Sequence, residues 1–188
     1  MLRWLLVIGA VVLLVGGGVA GWFVARETEE VATVTESTTT TVTSTQQAEA
    51  GLPAAVEETR LALLEAAKSG DYEELRPLVP ATGFEYTFGG PVEGGPIAYW
   101  QELERTTDER PLEALAAILE LPYVLSRGYY VWPWAYTVEN RSDLSAHERQ
   151  LLAPLGTPGE LVLDGTGYLG WRAGFEPDGT WAFFVAGD

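Results

Sequence analysis

The sequence predicts an α+β domain, a curved antiparallel sheet packed on N-terminal helices, carried behind a transmembrane helix. Three observations predict it. Apolar residues recur with a helical period between residues 54 and 120. After residue 128 the pattern changes to alternation with many aromatic residues and closes on a Pro177-Asp178-Gly179 turn. Ahead of both, Trp4–Ala25 carries no charge at all. These signatures divide the chain into an anchor over residues 1–26, a Thr/Ser-rich tether over 27–52 and an extracytoplasmic domain over 53–188.

Trp4 to Ala25 is 22 residues long, and as a helix it spans about 33 Å, enough for a hydrocarbon core of about 30 Å. Trp4 and Trp22 sit near its ends, where amphipathic rings favour the membrane interface. The competing reading is a signal peptide with Gly18 and Ala20 near a cleavage site, which would leave a secreted domain; the apolar run continuing through Ala25 favours the retained anchor. Residues 27–50 are rich in Thr and Ser, including Thr38 to Thr41, and nearly lack large apolar side chains. Such a segment cannot build a core and behaves as a tether, which favours a C-terminus outside the cytoplasm.

In the domain, Ala54–Lys68 places Val56, Leu63, Leu64 and Ala67 on one helical face, and Gly70 ends the helix. Asp71 and Glu74 frame a short helix disturbed by Pro77 and stopped by Pro80. Phe84, Tyr86 and Phe88 alternate with Glu85 and Thr87, the pattern of a strand with one aromatic face. Helices follow over Pro96–Glu104 and Pro111–Glu120. Tyr129–Tyr136 then reads as a strand with Tyr130, Trp132, Trp134 and Tyr136 on one face, with Pro133 marking an edge or bulge. Ser145 and Glu148 frame a capping box for a helix ended by Pro154 and Gly156. In the final hairpin, Phe175 opposite Thr180 would set Gly174 against Trp181 and Arg172 against Phe183, so that Arg172 lies on the Phe183 ring. Both faces of that hairpin look covered, which places it centrally in the sheet.

Charge excludes several functions. The chain has 11 Lys plus Arg and 27 Asp plus Glu; residues 1–50 hold two and five of these, leaving 9 against 22, a net of −13 for the domain. Such a surface repels nucleic-acid phosphates and anionic headgroups. The absence of cysteine excludes disulfides, thiol nucleophiles and cysteine-bound zinc. His147, the single histidine, lies at a helix start among polar residues and reads as a solvated side chain. The Asp164–Gly167 segment lacks the ligand spacing of a helix-loop-helix calcium site and reads as a turn. Neither Glu57-Glu58 nor Glu73-Glu74 forms an acid/base dyad. No metal or cofactor is expected.

The order of helix, short helix after Gly70-Asp71, aromatic strand, glycine-rich turn, helix near Ile97 and strands ending in the Asp178-Gly179 hairpin with Trp181 resembles the nuclear transport factor 2-like superfamily. The matching stretches are Leu63–Leu78, Phe84–Trp100 and Tyr168–Val185. The resemblance implies a cone, a curved antiparallel sheet wrapped around a helix. That superfamily contains isomerases, dehydratases and polyketide cyclases, and also non-catalytic binding and assembly modules, some membrane-tethered. The Asp–His and Tyr–Asp constellations of its enzymes have no matching positions here, so no catalytic residue is carried over.

The aromatic face of Tyr130, Trp132, Trp134 and Tyr136 has two readings, core packing or the lining of a pocket, and core packing is favoured. If part of it is open, Tyr86, Tyr99, Trp100, Tyr130, Trp132, Trp134 and Arg172 are the candidate ligand-binding residues. Arg172 stands out because an arginine among aromatic strands requires a partner. The expected function is a membrane-anchored binding or assembly module of the bacterial envelope, with a protein or glycan partner and no nucleic acid. The alternative is a small cone-type isomerase, lyase or hydrolase.

Overall fold

In the computed structural model, which describes residues 51–187, the domain is α+β, with a four-stranded antiparallel sheet and helices packed on it. The expected anchor and nearly all of the tether lie outside the described residues. Among the described residues no helix is long and apolar enough to cross a membrane.

Helix α1 (Ala54–Ser69) buries Val56, Leu63, Ala66 and Ala67, and Gly70 closes it in the left-handed conformation at φ 75°, where a glycine carries no Cβ penalty. Its main partner is α4 (Pro111–Leu119). Arg60 ties the two together: its guanidinium pairs with Glu57 at 2.7 Å and donates to the carbonyl of Leu119 at 2.8 Å, satisfying one of the orphan acceptors at the end of α4. Between them come α2 (Tyr72–Leu75), a 3₁₀ turn over Arg76–Leu78 and α3 (Gly95–Thr106). Asp71 caps α2 by accepting from the Glu73 N–H at 2.9 Å, not through Glu74.

The sheet runs β1 (Val124–Ser126), β2 (Tyr129–Trp132), β5 (Arg172–Phe175) and β6 (Trp181–Val185), in the spatial order β1-β2-β5-β6. Strand β5 is central and buried along its whole length, and α4 packs on it. One core therefore joins α1, α3, α4 and the sheet through Trp100, Leu115, Ile118, Trp132, Phe175, Trp181 and Phe184.

Three local expectations are corrected. Phe84–Phe88 is not a full strand: Glu85 forms a single parallel bridge to Phe183, accepting from the Phe184 N–H at 2.9 Å and donating to Ala182 at 3.0 Å. Strand β2 stops at Trp132, because Pro133 has no N–H to extend the ladder, and Trp134–Thr137 turns into a 3₁₀ segment. The four aromatic residues from Tyr130 to Tyr136 therefore do not share one strand face. In the final hairpin, Glu176 donates to Thr180 and Asp178 accepts from the Thr180 N–H, both at 2.9 Å. This longer turn sets Trp181 opposite Phe175, and a bulge between Gly174 and Phe175 sets Phe183 opposite Gly174 and Val185 opposite Arg172. Large still covers small, with Phe183 as the cover: a Cβ on Gly174 would lie 2.1 Å from its ring.

The segment after β2 builds a satellite core. Helices α5 (Ala146–Leu152) and α6 (Pro158–Leu161) and the small hairpin of β3 (Val162–Leu163) and β4 (Gly167–Tyr168) bury Ala135, Leu144, Leu152, Leu161, Val162 and Tyr168 together. The capping box at Ser145 and Glu148 forms as expected, and Asp164–Thr166 is the turn of the β3–β4 hairpin, with Gly167 opening β4. Asp164 there accepts from the Arg141 backbone N–H at 2.8 Å and pairs with its guanidinium, which pulls its carboxyl down to about 2. The folded state thus favours the charged form, so the pair's contribution is complete above the ordinary value of about 4 and is lost as pH falls toward 2. The melting temperature of Asp164→Asn is accordingly expected to lie below that of the parent at neutral pH, with the gap closing between about pH 4 and pH 2. A gap independent of pH in melts followed by circular dichroism would refute this.

Candidate functional site: an aromatic groove beside the sheet edge

The seven candidate residues separate into three groups. Trp100 is fully buried and Trp132 is 2% exposed, and both belong to the main core. Tyr130 is half-buried, packed on that core with its ring centroid 5.7 Å from that of Tyr123. Trp134 packs against the satellite core. These four supply packing, and the enclosed aromatic pocket they would have lined is filled by Phe175, Trp181 and Phe184.

Tyr86 and Tyr99 do meet, with ring centroids 5.7 Å apart. They line an open groove of about 460 Å³ together with Phe88, Glu109, Leu169 and Trp171. Each element contributes for a local reason. The Glu85 bridge carries Tyr86 alongside β6, and the Tyr86 hydroxyl accepts from the Val92 N–H at 2.7 Å, which folds the glycine-rich loop back over it. Helix α3 turns Trp100 inward, leaving its neighbour Tyr99 half-buried at the rim. Trp171 precedes β5 and stacks on Phe184, centroids 4.5 Å apart, while its indole N–H donates to Glu109 at 2.7 Å.

Arg172 has a different role from the one expected. Its guanidinium carbon lies 5.5 Å from the Phe88 centroid and 5.9 Å from that of Tyr136, not on Phe183. One Nη donates to the Gly187 carbonyl at 2.7 Å, and Gly187 donates to Leu169 at 2.7 Å. Arg172 therefore braces the backbone wall of the groove and occupies one side of the Phe88 ring. It also borders a second open cleft of about 450 Å³ with Arg127, Tyr136, Glu139 and Tyr168.

Phe88, Glu109 and Trp171 complete the groove but were not among the candidates. Phe88 is 57% exposed, and an alternating pattern in sequence cannot distinguish a buried strand face from an open one. Glu109 and Trp171 are 62 residues apart, and neither stands in a motif that announces the other.

A carboxylate does lie within hydrogen-bond reach of a tyrosine elsewhere: the Tyr72 hydroxyl donates to Glu104 at 2.7 Å. Burial, reinforced by that carboxylate, pushes the Tyr72 hydroxyl well above its ordinary value, so the phenol holds its proton. The cleft beside Glu104 is lined by Lys68, Arg110 and Leu112 and not by Tyr72. His147 is exposed at the start of α5. Among the described residues no group of three or more acidic or histidine side chains could hold a metal ion. Comparison with protein-family models, with curated proteins and with solved structures gives no match to this chain.

Proposed function

We propose that this chain is a membrane-anchored, extracytoplasmic binding or assembly module of a bacterial envelope, and that the groove of Tyr86, Phe88, Tyr99 and Trp171 is its ligand face. The observation carrying the reading is that Trp100, Trp132, Phe175, Trp181 and Phe184 fill the interior, while half-buried Tyr99 and Trp171 and the 57% exposed Phe88 meet Tyr86, at the margin of the core, on one open groove. Packed interiors with shallow aromatic grooves suit recognition better than catalysis, which needs enclosed, preorganised polar groups. The uncharged run and the Thr-rich tether support the location, and the acidic surface argues against nucleic acid. The likeness to nuclear transport factor 2-like domains belongs to the same proposal, supported by helices packed on a curved antiparallel sheet. The alternative of a small cone-type enzyme has the Tyr72–Glu104 pair in its favour, but that tyrosine is buried and keeps its proton.

Site-specific photocrosslinking in cells tests the proposal. A benzoylphenylalanine placed at Tyr99 should give a discrete adduct with an envelope component, and the same group at exposed Gln101 on the same helix should not. Equal labelling from both positions, or none from either, would overturn the assignment.

A further inference from the structure

We propose that the groove captures a cationic side chain, an arginine or lysine of a protein partner, stacked among the aromatic rings and paired with Glu109; this rests on the reading of the groove as a binding face. Its walls combine π faces with a carboxylate, and none of the residues lining it is Lys or Arg. Arg110, the nearest in sequence, turns its guanidinium onto the carbonyls of Thr107 and Glu109. The fold already uses Phe88 this way, since the Arg172 guanidinium lies over that ring. The Arg172 guanidinium, held by the Gly187 carbonyl at 2.7 Å, keeps its charge beside Phe88, so the incoming cation engages Tyr99, Trp171 and Glu109 rather than that ring.

Glu109 is held by its Oε2, which accepts from the Trp171 indole at 2.7 Å. A carboxylate accepts at both oxygens, so Oε1 offers an incoming guanidinium or ammonium a charge-assisted bond. Tyr99 and the Trp171 face turned away from Phe184 supply the rings on which a guanidinium stacks, with Tyr86, buried at 9% exposure, forming the floor behind them. The net charge of −13 over residues 51–188 raises the local concentration of basic partners and steers their approach. A neutral glycan would stack on the rings and donate a hydroxyl to Glu109, but it would gain nothing from that field and form no ion pair.

The test is calorimetric titration of the full-length chain in detergent micelles with three probes: a hexapeptide carrying two arginines, its citrulline counterpart, and a neutral N-acetylglucosamine oligomer. The arginine peptide should bind about tenfold or more tightly than the citrulline peptide, and its affinity should fall as sodium chloride rises from about 0.05 M to about 0.5 M. Glu109→Gln should remove about tenfold of that affinity, while Glu58→Gln, which deletes the same charge from an exposed site on α1, should not. Glu109 is exposed, so its substitution spares the core, and Tyr99→Ala tests the stacking independently. Equal losses from E109Q and E58Q would reduce the effect to diffuse charge and overturn the inference. So would equal binding of the citrulline peptide, preference for the oligosaccharide, or no binding of the arginine peptide. Each of these leaves the adduct from Tyr99 to decide separately whether the groove binds anything.

Discussion

Trp181→Ala is expected to destabilise the domain by about 3–5 kcal/mol, a large share of the roughly 5–15 kcal/mol that holds a domain of this size folded. Trp181 is 1% exposed, and its ring lies 4.6 Å from Phe84, 5.9 Å from Trp100 and 6.2 Å from Phe184, centroid to centroid. Truncation would open a cavity at the point where β6, α3 and the Glu85 bridge meet. Trp181→Phe should cost far less, under about 1.5 kcal/mol, for a specific reason. The indole N–H of Trp181, like that of Trp100, is buried without a hydrogen-bond partner among the described residues, so phenylalanine removes an unsatisfied donor along with the lost area. Urea unfolding followed by far-ultraviolet circular dichroism separates the two variants. A loss from Trp181→Phe as large as that from Trp181→Ala would overturn this account.

The second large effect is expected at the last hairpin turn, where Gly179 is buried against α1. Gly179 has φ 90°, and a Cβ there would lie 2.6 Å from the carbonyl oxygen of Ala55 in the first turn of α1. Gly179→Ala therefore meets two penalties: about 1–2 kcal/mol for a left-handed conformation at a residue with a side chain, and about 1–3 kcal/mol for pushing helix and hairpin apart. Gly165 makes the comparison clean, because it has φ 80° with nothing within 4 Å. Gly165→Ala should cost the conformational part and no more, about 1–2 kcal/mol. If the two alanine variants unfold at the same urea concentration, the contact between the hairpin turn and α1 contributes nothing.

The helical half was legible because its signals are local. Val56, Leu63 and Ala67 repeat at helical spacing, Gly70 and Pro111 mark ends, and Ser145 with Glu148 carries both halves of a cap within four residues. The sheet half was legible only in outline. The Pro177-Asp178-Gly179 turn announces a hairpin, but its register depends on how Asp178 and Thr180 share their hydrogen bonds, and a bulge then resets the pairing. Alternation over Tyr129–Tyr136 was overruled by the missing N–H of Pro133. The site was legible by half. Tyr86 and Tyr99 were named because the cone implied by the resemblance would bring them near the aromatic strand, whereas Trp171 and Glu109 come together only through the packing of β5 against the helices.

The contact between Gly179 and Ala55 joins the first helix of the domain to its last turn, and β5, the strand at the middle of the sheet, also comes from the final stretch of chain. A polypeptide made from its N-terminus must therefore complete α1 through α4 before the strands that cover them have been synthesised. Until residues 172–185 emerge, Leu115, Ile118 and Trp100 lack β5 and β6 to pack against, and their exposed surface invites association with other chains. Closure of the main core therefore comes only with the hairpin of β5 and β6, and a nascent chain ending before Phe175 would leave the apolar faces of α1, α3 and α4 without that cover.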